Sequence, residues 1–168
     1  MNKNENVRKR GGLFVIGISA FTCGMIVSYV LMNKKFKKQL GAETALSNKH
    51  LSLFLLMQQW IRQKIKGRNV ADYLRNKGIK TVAIYGMNYV GDALLDDLRA
   101  FDIEVKYGID MNAARIFSIV PVYHPDDTLP EVDAVIVTAI SSFDSIEEKL
   151  LPKIDACILS LEDIVYEI

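Results

Sequence analysis

The chain has 168 residues, half of them apolar, and a formal net charge of +1. That composition supports a packed core and argues against a disordered chain, and the length suits one ordinary domain plus an extra segment. Basic residues crowd the first 40 positions instead of spreading over a folded face, so the pattern is not that of a nucleic-acid binder.

The stretch from Gly11 to Met32, GGLFVIGISAFTCGMIVSYVLM, contains no charged residue. A bilayer core takes about 20 apolar residues in a helix, so residues 11–32 are predicted to span a membrane once. A cleaved leader is the competing reading. Its apolar region is typically about 7–15 residues and closes on small residues, whereas this one runs on to Leu31 and Met32 and stops at NKKFKK. Residues 1–10 form a basic flank with Lys3, Arg8, Lys9 and Arg10. The other side carries Lys34, Lys35, Lys37 and Lys38, so the positive-inside rule is tied. The soluble part is expected on the cytoplasmic side of the cell membrane, where a nucleotide ligand would be met. KKFKK reads as a stop-transfer flank, or as a segment lying on anionic lipid with Phe36 in the interface. Residues 33–48 are expected to be a basic juxtamembrane linker. The two cysteines, Cys23 and Cys157, have no Cys or His neighbour at metal spacing and read as apolar filler.

In HLSLFLLMQQWIRQKIKG, Leu53, Phe54, Met57, Trp60, Ile61 and Ile65 recur at intervals of three and four, with Leu55 and Leu56 widening the stripe. This predicts an amphipathic helix started by Ser47 or Asn48 and stopped by Gly67, covering one end of the following sheet. A partner-binding or dimerising helix is the alternative. A second amphipathic helix follows in RNVADYLRNKG, capped by Asn69 and closed by Gly78. No linker separates these helices from what comes next, so residues 49–168 are expected to form one folded unit.

From Ile79 the period changes. KTVAIYG is a continuous β-branched run ending at a glycine, as in a strand buried on both faces. YVGDALLDDLRAF then has helical spacing, and IEVKYGID is a second strand ending at Asp110, which completes a right-handed βαβ unit. A short third strand is predicted around Val120–Tyr123, a fourth from Asp133 to Ala139, a helix from about Asp144 to Pro152, a fifth strand in DACILS and a closing helix in LEDIVYEI. The predicted fold class is α/β: a doubly wound parallel five-stranded sheet of order 3-2-1-4-5, preceded by the membrane span and two amphipathic helices.

TVAIYGMNYVG, YGID and VDAVIVTA together resemble the Rossmann-type nucleotide-binding superfamily over residues 79–168. More narrowly, VDAVIVTA, FDSIEEKL and LEDIVYEI are similar to small Rossmann-like domains appended to bacterial sugar-nucleotide and polysaccharide-modifying enzymes. The resemblance implies surface-polysaccharide metabolism, NAD(P) or a nucleotide sugar as ligand, and a partner enzyme of that biosynthesis.

The superfamily fingerprint is G-x-G-x-x-G. In Gly86, Met87, Asn88, Tyr89, Val90, Gly91 the first and third glycines are present and Asn88 replaces the second. Asn tolerates unusual backbone angles, so the turn is expected to survive, with a side chain that crowds a phosphate or bonds one. Asp92 already complements the helix dipole, and no Lys or Arg lies in the turn. Asp110 lies about 20 residues on, where a ribose-hydroxyl acceptor is expected. Thr138, Ser141 and Ser142 follow the fourth strand at the edge where ligands of such sheets sit, and Arg115 is placed to reach a phosphate near Asp110. The bland alternatives are a solvated strand-end acid and helix-capping serines. His124 with Asp126 reads as a base and its orienter or as a solvated loop pair. No catalytic or metal-ligating residue is assigned. Three functions stay open: a nucleotide-responsive sensor or adaptor, a nicotinamide-dependent sugar-nucleotide reductase or epimerase needing a partner, and a structural interaction protein that binds no ligand.

Overall fold

The computed structural model describes residues 32–38, 41 and 43–168. The chain divides into two compact units, 1–48 and 49–168. The predicted span falls outside the described residues apart from Met32. Among the described residues no helix is long and apolar enough to cross a membrane.

In the first unit residues 32–38 and 43–48 are helical, where a linker was expected. Ser47 and Asn48 do not start a helix; α1 comprises residues 43–65. The reason is local: Ala45 and Leu46 are strong helix formers and no Pro or Gly interrupts the run from 43 to 65, so propagation outweighs the capping preference of Ser and Asn.

In the second unit α2 (Val70–Asn76) is capped as expected: the Asp72 N–H donates to Asn69 Oδ1 at 2.8 Å. Gly78, at φ +74°, closes it in the left-handed conformation. Then come β1 (Thr81–Tyr85), α3 (Tyr89–Leu98), β2 (Glu104–Ile109), a one-turn 3-10 helix (Ala113–Arg115) and β3 (Val122–Tyr123). β4 (Ala134–Val137), a second 3-10 turn (Ile140–Ser142), α4 (Phe143–Leu150), β5 (Cys157–Ser160) and α5 (Leu161–Glu167) complete the chain. All four strand pairings are parallel, as the alternation of strands and helices predicted, and the order is the expected β3-β2-β1-β4-β5 of a doubly wound sheet.

Side chains of a strand alternate between faces. Val82 and Ile84 of β1 therefore join Leu94 and Leu98 of α3, Leu56 and Trp60 of α1, Leu74 of α2 and Ile164 of α5 in one core. Ala83 and Tyr85 join Val135, Val137, Tyr107 and Ile109 under Ile146 and Leu150 of α4 in the other. Full burial of each such Leu or Ile contributes about 1.5–3 kcal/mol, so the two layers fix β1 and β4 at the centre. The second layer holds a polar fixture. Tyr107 donates its hydroxyl to Pro130 O at 2.6 Å and meets Tyr123 edge-on, and burial pushes its phenol up to about 12.

Candidate functional site: the glycine turn at the switch point

The strand order reverses between β1 and β4, because β2 lies on one side of β1 and β4 on the other. Ligands of open α/β sheets bind in the crevice outside the carboxyl ends of the strands at such a point. The loop leaving β1 there is Gly86–Met87–Asn88.

Gly86 has φ +94°, and a Cβ on it would lie 2.6 Å from Thr138 Oγ1. Both the left-handed backbone and the close approach require glycine. Gly91 is needed for packing alone: a Cβ there would run into the Gly86 carbonyl, so α3 sits directly on the turn. Asn88 has φ −117° and ψ −167°, extended backbone open to any residue. The second fingerprint glycine is thus dispensable for the conformation of this turn, and the expected appeal to the permissive backbone of Asn is unnecessary. What Asn88 does is cap α3, its Oδ1 accepting from Val90 N–H at 2.9 Å.

The other predicted residues fall into two groups. Asp110 stands at the turn: Oδ2 accepts from Met87 N–H at 3.1 Å and Oδ1 from Asn112 N–H at 2.8 Å. Tyr89, the first residue of α3, is 93% exposed. Ser141 is exposed on the 3-10 turn after β4, and Arg115 is exposed on the one after β2. Thr138, by contrast, is wholly buried, and its hydroxyl is within bonding distance of Gly86 O at 2.7 Å and Tyr85 O at 3.1 Å. It ties the turn to β4 and presents nothing to a ligand. Met87 and Val90 are buried as well; Met87 packs where a Cβ on Gly108 of β2 would stand. They shape the turn from below.

His124 and Asp126 are neighbours in an exposed loop, with His124 Nδ1 3.5 Å from Asp126 Oδ2. The Asp126 N–H donates to His124 Nδ1 at 3.3 Å, so that nitrogen acts as an acceptor. The Asp126 carboxylate is held by Lys153 at 2.8 Å, and that ammonium keeps its pKa below the ordinary value.

Two polar features escaped the sequence reading. Asp133, seen only as the start of β4, accepts from Lys80 N–H at 2.9 Å and Thr81 N–H at 2.7 Å, and these bonds lower its pKa. Between α1 and α3 the buried Asp97 pairs with Lys64, and the buried Gln63 donates to Val165 O at 3.4 Å. Trp60 Nε1, Gln63 Oε1 and Asp97 Oδ2 take no hydrogen bond among the described residues. Stepping from Val90 through Leu94 puts position 97 on the inner face of α3.

The class these features define is an open, all-parallel α/β domain of Rossmann-like architecture with a self-capped glycine turn at its switch point. No protein-family model, curated protein or solved structure matches the chain.

Proposed function

We propose that the chain is a single-pass protein of the bacterial cell membrane whose cytoplasmic Rossmann-like domain senses a nucleotide or nucleotide sugar, NAD(P) included. It acts as sensor or adaptor for a partner enzyme of surface-polysaccharide metabolism. The uncharged run from Gly11 to Met32 supports the anchor. One observation carries the ligand: the Asp110 carboxylate lies at the glycine turn, 3.1 Å from Met87 N–H, where a ribose acceptor of this architecture belongs. Each of its oxygens accepts one backbone N–H and keeps a second lone pair for a hydroxyl. The test is thermal unfolding of the full chain in detergent against NAD, NADP and a panel of sugar nucleotides. A binder at a hundredfold excess over Kd adds about 2.7 kcal/mol, and the gain should vanish in Asp110→Ala. No response to any of them removes the ligand from the proposal.

A second reading has its own support. Asn88 spends its side chain on Val90 N–H and Thr138 spends its hydroxyl on the turn, as in a fold kept for its shape. The domain would then dock a partner subunit without ligand. Cross-linking in the membrane that captures the same partner from wild type and Asp110→Ala, with no nucleotide response in either, selects it.

A further inference from the structure

The heptad-spaced residues Leu51, Phe54, Gln58, Ile61 and Ile65 share one stripe of α1, and all are exposed. The opposite stripe, with Leu56, Trp60 and Gln63, is buried in the domain. Sequence periodicity assigned Phe54, Ile61 and Ile65 to the inner stripe; the helix in fact carries two apolar stripes and the domain covers one.

Charge decides what suits the other. From Thr44 to Ala71 the chain has no acidic residue, but it has the exposed Lys49, Arg62, Lys66 and Arg68, besides Lys64, whose ammonium pairs with Asp97 of α3. A second copy would bring like charges to like charges along a contact of only two heptads, short for a coiled coil. An apolar stripe bordered by cations is the pattern of a helix lying in the interface of an anionic bilayer. Residues 32–38 repeat the chemistry independently: Met32 and Phe36 are 68% and 65% exposed among four lysines.

We propose that the outward stripe of α1 docks on an anionic lipid surface, with Phe54 and Ile61 in the acyl boundary and Arg62 and Lys66 on headgroup phosphates or carboxylates. The inference rests on the anchored reading only through the tether, which raises the local concentration of α1 at the leaflet.

The test uses the full chain with Cys23→Ser and Cys157→Ser, and an environment-sensitive dye on Gln58→Cys or, as control, on Glu148→Cys of α4. Vesicles are phosphatidylcholine alone or mixed with phosphatidylserine, with a brominated lipid as quencher. The expected result is quenching at position 58 and not at 148, only with phosphatidylserine, and reduced by salt. Phe54→Ser with Ile61→Ser should abolish it, and Arg62→Gln or Lys66→Gln should each weaken docking about fivefold. These side chains are exposed, so an unchanged unfolding midpoint distinguishes lost docking from lost fold. Equal quenching at 58 and 148, or quenching indifferent to phosphatidylserine, overturns the proposal. So does a dye shift that follows protein density at fixed lipid composition, which would assign the stripe to a second copy. Carbonate extraction reads the anchor separately. A chain resistant to extraction but unquenched keeps the anchor and sinks the docking; an extractable, quenched chain does the reverse.

Discussion

At the amino end of the sheet Asp133 accepts two backbone N–H groups, from Lys80 and Thr81, and so joins the start of β4 to the start of β1. At the carboxyl end Asp110 also accepts two, from Met87 and Asn112, and so joins the end of β2 to the turn after β1. Chemically these are one device, a carboxylate satisfying backbone donors in loops and at the first residue of a strand. Their positions differ. Asp133 places both bonds on one oxygen, away from the carboxyl rim where such sheets bind ligands. Asp110 divides its bonds between its two oxygens and stands at the switch point. A fastened aspartate is therefore not a functional mark by itself; its place relative to the reversal of strand order is what turns a staple into a candidate ribose acceptor.

The harshest way to break the carboxyl end is Gly91→Ala. The added Cβ meets the Gly86 carbonyl, a backbone atom that yields only if α3 withdraws from the turn. Overpacking of this kind costs about 3 kcal/mol. Denaturant unfolding should show that loss, together with faster amide exchange at Met87 and Val90. A near-neutral result would mean that α3 does not rest on the turn.

The amino end is tested by pH. In the native state Asp133 has its pKa lowered, chiefly by the Lys80 and Thr81 N–H groups. The unfolded chain then binds protons more readily than the native one. The resulting stability is fully present above about pH 4, the ordinary Asp value, and is lost as pH falls through the lower native value. Asp133→Asn should lower stability at neutral pH and flatten the acid limb below pH 4. An acid limb as steep as that of wild type would show that the staple contributes nothing measurable.

Much of this layout was legible in the sequence. TVAIY and AVIV are apolar and mostly β-branched, and the glycine and aspartate that punctuate β1 and β2 mark their carboxyl ends, so the strands and their parallel pairing follow from run composition and alternation, whereas the order 3-2-1-4-5 is one of several that such a sheet can take. Ligand-facing chemistry was less legible. Thr138 sits at the correct edge but its hydroxyl turns inward, and a one-letter code does not carry a χ1 angle. Periodicity reports that a face of α1 is apolar, not what covers it, so the outer stripe reads like the inner one. The buried Asp97 and Gln63 are not legible as core residues because polar residues ordinarily lie on the solvent side.

Asp110→Asn gives a smaller stability effect than Gly91→Ala. One carboxamide oxygen can still accept, but the charge-assisted pair of bonds is lost, for about 1 kcal/mol. Hydrogen exchange at Met87 N–H should rise while exchange at Lys80 and Thr81 stays unchanged, because the two staples lie at opposite ends of the sheet and share no partner. If both ends loosened together, the two aspartates would belong to one cooperative network and the contrast between them would fail.

The smallest change is the most informative for function. Asn88→Gly restores the fingerprint Gly86-x-Gly-x-x-Gly91. Because Asn88 is already extended at φ −117°, glycine relieves no strain. Losing the cap on Val90 costs only a few tenths of a kcal/mol, the usual difference between Asn and Gly at an N-cap. In exchange, the side chain that stands between a pyrophosphate and the Val90 N–H is gone. If the carboxyl end is a ligand site, calorimetric titration should give tighter dinucleotide binding in Asn88→Gly than in wild type, and the gain should disappear when Asp110→Ala is added. If Asn88→Gly is as unresponsive as wild type, crowding by the amide is not what limits the turn. Asp110 would then be a staple of the same kind as Asp133.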